Sequence, residues 1–196
     1  GEGDASAVLD PNSDVKAPND APDSVGLRWN VFVPTRPGGE AISGKVRDRI
    51  NARITALEPT ITSAADSFSV PTDLLAVVLH RESGGDPSAV GDGGASVGLG
   101  QIKAATETTV NEYWGTDLNR KNWVHNIYLT AGNLRRLYTE MHASGWGLGR
   151  DLSTQWYEAT RGHLCGKEGA LENPSCGSQE ASHRLATAGL SNQIPT

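Results

Sequence analysis

Apolar positions along the chain fall into stretches of helical spacing, separated by glycine and proline, with no sustained strand alternation. Ser43 opens the first stretch. Val46, Ile50, Ile54 and Leu57 recur every three or four residues, with Arg47, Arg49 and Arg53 between them, and Pro59 limits the segment. The next start is Val70-Pro71-Thr72-Asp73. Proline is tolerated in a first turn, and Asp73 complements the positive end of the helix dipole. Leu74, Leu75, Val77, Val78 and Leu79 are apolar on nearly every side, which predicts a central, buried helix. Gly84-Gly85 ends it, because glycine accepts the left-handed cap.

Residues 84–98 are glycine-rich and read as a tight loop or a small hairpin. A helix is expected from Ala104. A long one follows Asn122, with Trp123, Ile127, Ala131, Leu134, Tyr138 and Met141 on one face. Two more are expected over Leu152 to Ala159 and Gln179 to Ala188. The class is mainly α, with one domain over residues 41–196. Residues 1–40 read as a tail or linker: Asp4, Asp10, Asp14, Asp20 and Asp23 alternate with Pro11, Pro18 and Pro22. Trp29, Val31 and Phe32 interrupt this segment and are candidates to pack back onto the domain.

Composition narrows the class. The 196 residues suffice for one full core plus an extension. The net charge of -6 argues against non-specific nucleic-acid binding, which needs a basic face. It also means that recognition of an anionic wall polymer would rest on a groove, not on net attraction. The most apolar run, Leu74 to Leu79, is far too short to span a bilayer. No signal-peptide pattern is visible, and Gly1-Glu2-Gly3-Asp4 is compatible with a trimmed start, so a removed export signal or anchor stays open. Cys165 and Cys176 flank a polar segment of turn formers, Gly166, Gly169, Asn173 and Pro174. Such a pair reads as a disulfide and hence an oxidising compartment; the other reading is two unrelated buried thiols. Neither the cysteine spacing nor the scattered histidines suggest a metal site, and no cofactor is expected.

One residue breaks the local pattern. Glu82 falls in the last turn of the buried helix, at the negative end of its dipole, with Val78 and Leu75 on the same face. Both surroundings disfavour the ionised form, which suits an acid that must donate a proton to a glycosidic oxygen. Position alone favours an ordinary exposed glutamate at a helix end.

The neighbouring residues add to this. Glu82-Ser83-Gly84-Gly85-Asp86-Pro87-Ser88-Ala89-Val90, followed by Gly98-Leu99-Gly100-Gln101-Ile102, resembles the "ES…GLMQ" signature of the soluble lytic transglycosylase and goose-type lysozyme superfamily. Pro71 to Arg81 resembles its buried catalytic helix, and Trp156-Tyr157-Glu158-Ala159-Thr160 is a weaker match to its "AYNAG" element. The resemblance covers about residues 68–162.

The resemblance implies a lysozyme-like α domain cut by a groove for glycan strands of N-acetylglucosamine and N-acetylmuramic acid. Glu82 would be the catalytic acid and base. Gly98, Leu99 and Gln101 would line the groove, and Tyr157 would bring a hydroxyl near the scissile bond. Read without the pattern, Gln101 is a loop amide and Tyr157 a core aromatic. The implied reaction uses one carboxyl. Glu82 protonates the leaving oxygen, then takes the proton of the muramic acid 6-hydroxyl, closing a 1,6-anhydro ring. This differs from two-carboxylate glycosidases.

The sequence departs from the family pattern in three places. Gly100 replaces a bulky residue, which is expected to open space beside Gln101. Thr160 replaces a glycine, and Glu158 replaces an asparagine, placing a second acid at the groove. Glu158 is then a water-activating base, a like charge beside Glu82, or a helical glutamate that faces solvent. A hydrolytic alternative rests on Gly91-Asp92-Gly93-Gly94, where Asp92 stands at the place of a water-positioning aspartate in goose-type lysozyme. The partner aspartate of that family is Lys103 here. A third reading is a catalytically silent peptidoglycan-binding scaffold module. An extracytoplasmic place (periplasmic, cell-wall or secreted) accompanies all three; the oligomeric state stays open, with a monomer favoured.

Overall fold

A computed structural model describes residues 44–143 and 154–195, with side chains from residue 50 to 141 and from 154 to 195. The expected tail over 1–40, the packing of Trp29, Val31 and Phe32, and the helical start at Leu152 lie outside these residues.

Eight α-helices and one small hairpin make up the described chain. The first is α1, Gly44–Ala56. Pro59 does limit it, as expected, but it also opens α2, Glu58–Phe68, a helix the sequence reading passed over. Proline is compatible with a first turn because the N–H it lacks would have no helical partner there. Ile61, Ala64, Ala65 and Phe68 of α2 form one buried stripe, and Ser69 closes the helix at φ 54°.

Helix α3, Thr72–Ser83, matches expectation closely. Every residue from Leu74 to His80 is buried, and Gly84 caps it at φ 63° by donating its N–H to the His80 carbonyl. Burial of each large aliphatic side chain stabilises by roughly 1.5–3 kcal/mol. The glycine-rich segment forms the hairpin: β1, Val90–Gly91, pairs antiparallel with β2, Ser96–Val97. Helix α4 runs Ala104–Trp114 and α5 runs Trp123–Ala143. Asn122 starts α5 by accepting the N–H groups of Val124 and His125 on Oδ1 at 3.0 and 3.1 Å.

Helix α5 is the hub, packing against α2, α3, α4 and α6, Gln155–Cys165. It meets α6 at Gly162, where an added Cβ would lie 2.9 Å from Leu137 and Met141. Helix α6 extends well past Ala159, and a further short helix unforeseen from sequence, α7 (Lys167–Glu172), follows it. The last helix, α8 (Ser178–Thr187), packs on both α6 and α3. A disulfide joins Cys165 at the end of α6 to Cys176 just before α8, across 11 residues. Among the described residues no helix is long and apolar enough to cross a membrane.

Candidate active site

The end of α3 carries Glu82 into a cleft of about 450 Å³. The hairpin and the following loop supply one wall, with Gly91, Asp92, Ser96, Gln101 and Lys103. Helices α5 and α6 supply the other, with Asn133, Arg136 and His163.

The loop wall is braced by α5. Asn126 accepts the Gly100 N–H on Oδ1 at 2.8 Å and donates from Nδ2 to the carbonyls of Val97 and Arg120. Gly98 lies so close to this amide that a Cβ there would overlap it. Gly100 presses equally on Thr130: a Cβ would collide with its hydroxyl oxygen. The space expected beside Gln101 is therefore absent on that side, because α5 fills the room a larger residue would need. Gln101 adopts φ 51° and donates from Nε2 to the carbonyls of Ala89 (3.0 Å) and Gly98 (2.8 Å). Its amide nitrogen is thus engaged in holding the loop while the side chain still lines the cleft. Gly98 and Leu99 are buried behind it and do not line the cleft.

Asp92, also at positive φ, accepts the Ser96 hydroxyl at 2.6 Å, and Lys103 stands 3.9 Å from the same oxygen. The lysine that replaces the second aspartate of the goose-type pattern therefore faces Asp92 directly. The Asp92 side chain is 63 % exposed.

Glu82 has different neighbours from those its sequence suggests. Its Oε1 accepts a hydrogen bond from Arg184 Nη1 of α8 at 3.0 Å, and His163 Nε2 lies 4.0 Å from the same oxygen. The carboxyl is thus not enclosed by apolar side chains alone. Arg184 also donates from Nε to Glu180, which Arg81 grips with two further bonds of 2.8 and 3.0 Å. Burial pulls the Glu180 carboxyl upward, but the bonds and charges of Arg81 and Arg184 outweigh it and hold it below the usual range. With Glu82 ionised, this cluster of two carboxylates and two guanidiniums is neutral.

His163 is almost wholly buried, and burial lowers its pKa against the opposing pull of Glu82. Neither His163 nor Arg184 carried a motif in the sequence. Both reach the site through tertiary packing.

Tyr157 and Glu158 sit earlier on α6, both buried, and neither is among the residues lining this cleft. Glu158 accepts from Arg161 Nη1 at 2.8 Å. Arg161 also donates to the carbonyls of Ala170, Asn173 and Cys176. The pair ties α6 to α7 and to the disulfide loop. The contact with Glu82 that the sequence reading assigns to Glu158 is taken by Arg184 and His163. Among the described residues, no group of three or more His, Cys, Asp or Glu side chains is placed to hold a metal ion.

No curated protein matches the chain. A family profile described as "Transglycosylase SLT domain" matches residues 59–166, more than half of the chain, spanning α2 to the end of α6 and so including Glu82 and both walls of the cleft. The chain belongs to the transglycosylase SLT domain family.

Proposed function

We propose that this protein cleaves the β-1,4 bond between N-acetylmuramic acid and N-acetylglucosamine in peptidoglycan, leaving 1,6-anhydromuramic ends, with Glu82 as the acid and base. The observation that carries this reading is the anchoring of Glu82. Its Oε1 is held by Arg184, while Oε2 has no hydrogen-bond partner among the described residues. One oxygen is fixed and the other is left to exchange a proton with a sugar in the cleft.

In the first half of the reaction, Oε2 gives its proton to the glycosidic oxygen as the bond to the muramic C1 breaks. The N-acetylglucosamine side leaves as an alcohol. In the second half, the Glu82 carboxylate takes the proton of the muramic 6-hydroxyl. That oxygen bonds to C1, and Glu82 is protonated again. No water is consumed. Arg184 stabilises the carboxylate that exists between the two halves.

Asp92 would favour hydrolysis, since it stands in the same cleft. Its engagement with Ser96 and the proximity of Lys103 favour the lyase reading instead. Gln101, Asp92 and Lys103 are proposed to contact the glycan. Peptidoglycan as the substrate and the disulfide both support an extracytoplasmic place of action. Clearing of a purified peptidoglycan suspension tests the assignment. The wild-type protein should clear it, and Glu82→Gln should not while keeping its circular dichroism and melting temperature. Clearing by a folded Glu82→Gln would remove Glu82 from the chemistry.

A further inference from the structure

His163 is held from behind by a chain of side chains whose chemistry leaves only one arrangement of protons. Arg136, on α5, donates from Nη2 to Oδ1 of Asn133 at 2.9 Å. A guanidinium can only donate, so the amide oxygen of Asn133 must face Arg136. The amide nitrogen then faces Nδ1 of His163, also at 2.9 Å. An amide nitrogen can only donate as well, so Nδ1 must accept. The ring proton is left on Nε2, 4.0 Å from Glu82 Oε1, and the Gly100 backbone also hydrogen-bonds the ring. A second proton on Nδ1 would set two donors against each other at 2.9 Å.

The charges facing this ring come from three helices. Glu82 lies on α3, Arg184 on α8 and Arg136 on α5; Gly100 adds a backbone hydrogen bond from the loop. Arg184 already places one cation on Glu82. A protonated His163 would place a second cation 4.0 Å from the same oxygen, against the acid half of the reaction, which needs Glu82 to begin protonated.

Resting on the reading of Glu82 as acid and base, we infer that Arg136 and Asn133 lock His163 in its neutral Nε2–H form, and that this lock sets the alkaline limit of wall cleavage. Asn133 and His163 are thus positioning residues acting through Glu82. Burial works in the same direction, lowering the pKa of the ring.

The test combines nitrogen NMR with pH–rate profiles. In the wild-type protein, 15N shifts of His163 should report a proton on Nε2 only, with no second proton bound as pH falls through the ordinary histidine pKa. Asn133→Asp replaces the donor facing Nδ1 by an acceptor and should let the ring bind a second proton. The alkaline limb of peptidoglycan cleavage should then move to lower pH. In a His163→Gln background, the same Asn133→Asp change should not lower the limb. A proton on Nδ1 in the wild-type spectrum overturns the inference without any variant. So does an unmoved limb in Asn133→Asp whose ring is shown to be charged. Absence of cleavage by the wild-type protein would instead overturn the catalytic reading on which the inference rests.

Discussion

Arg184 Nη1 and Glu82 Oε1 meet at 3.0 Å although the two residues are 102 positions apart in the chain. The contact joins α8 to the end of α3, and Glu180 and Arg81 extend it into a four-charge cluster. The last helix thereby becomes part of the candidate site, although the family match ends at residue 166.

Arg184→Met keeps much of the apolar stem and removes the charge. The cation that meets Glu82 Oε1 is then gone, so the pH–rate profile of cleavage should differ from that of the wild type. The side chain is almost fully buried, and its loss should reduce stability by roughly 1–3 kcal/mol. Chemical denaturation and a pH–rate profile measure the two effects separately.

Glu158 should behave differently. Its carboxylate is paired with buried Arg161, so Glu158→Asn leaves a guanidinium short of its counter-ion. The expected cost is about 3–5 kcal/mol, the range for breaking one side of a buried pair. The pH–rate profile of the remaining folded protein should match the wild type. A shift of its alkaline limb would mean that Glu158 acts on Glu82 after all.

Stability should also fall in acid through His80. Burial, reinforced by Arg81 and His183, lowers its pKa from 6.5 to about 4. The unfolded chain therefore binds the proton more readily than the folded one. This contribution is fully present above pH 6.5 and is lost as pH falls towards about 4. The whole swing is about 3 kcal/mol at 1.36 kcal/mol per pKa unit. Melting temperatures over this window should drop less steeply in His80→Gln than in the wild type.

The disulfide should hold the end of α6, and with it the cleft-lining residues from Gly162 to Gly166. Non-reducing mass spectrometry should find no alkylatable thiol at Cys165 or Cys176. Reduction should lower the unfolding free energy by about 2–3 kcal/mol, the loop-closure value for a short ring.

The parts of this structure legible in the sequence are those written in short-range pattern. Helix α3 could be read because proline, aspartate, an apolar run and two glycines follow one another within fifteen or so residues, about the span of an ordinary helix with its caps. The hairpin and the loop around Gln101 were legible for the same reason. Helix α2 is hidden because Pro59 reads as a stop, although Ile61, Ala64, Ala65 and Phe68 repeat at helical spacing. Helix α7 has six residues and little apolar pattern. At the candidate site, Glu82 was visible through its motif, whereas Arg184 and His163 were not. Nothing local distinguishes Arg184 from any arginine in an amphipathic helix; only the docking of α8 on α3 brings it to Glu82. Glu158 was misleading in the opposite sense, since its partner Arg161 lies one helical turn away and faces the same side.

The most direct test of the central claim is mass spectrometry of peptidoglycan digested by the wild-type protein and by Glu82→Gln. The wild type should release muropeptides ending in 1,6-anhydromuramic acid, and Glu82→Gln should release none. Muropeptides from the wild type ending only in reducing muramic acid would contradict the one-carboxyl lyase reaction and assign the cleft to hydrolysis.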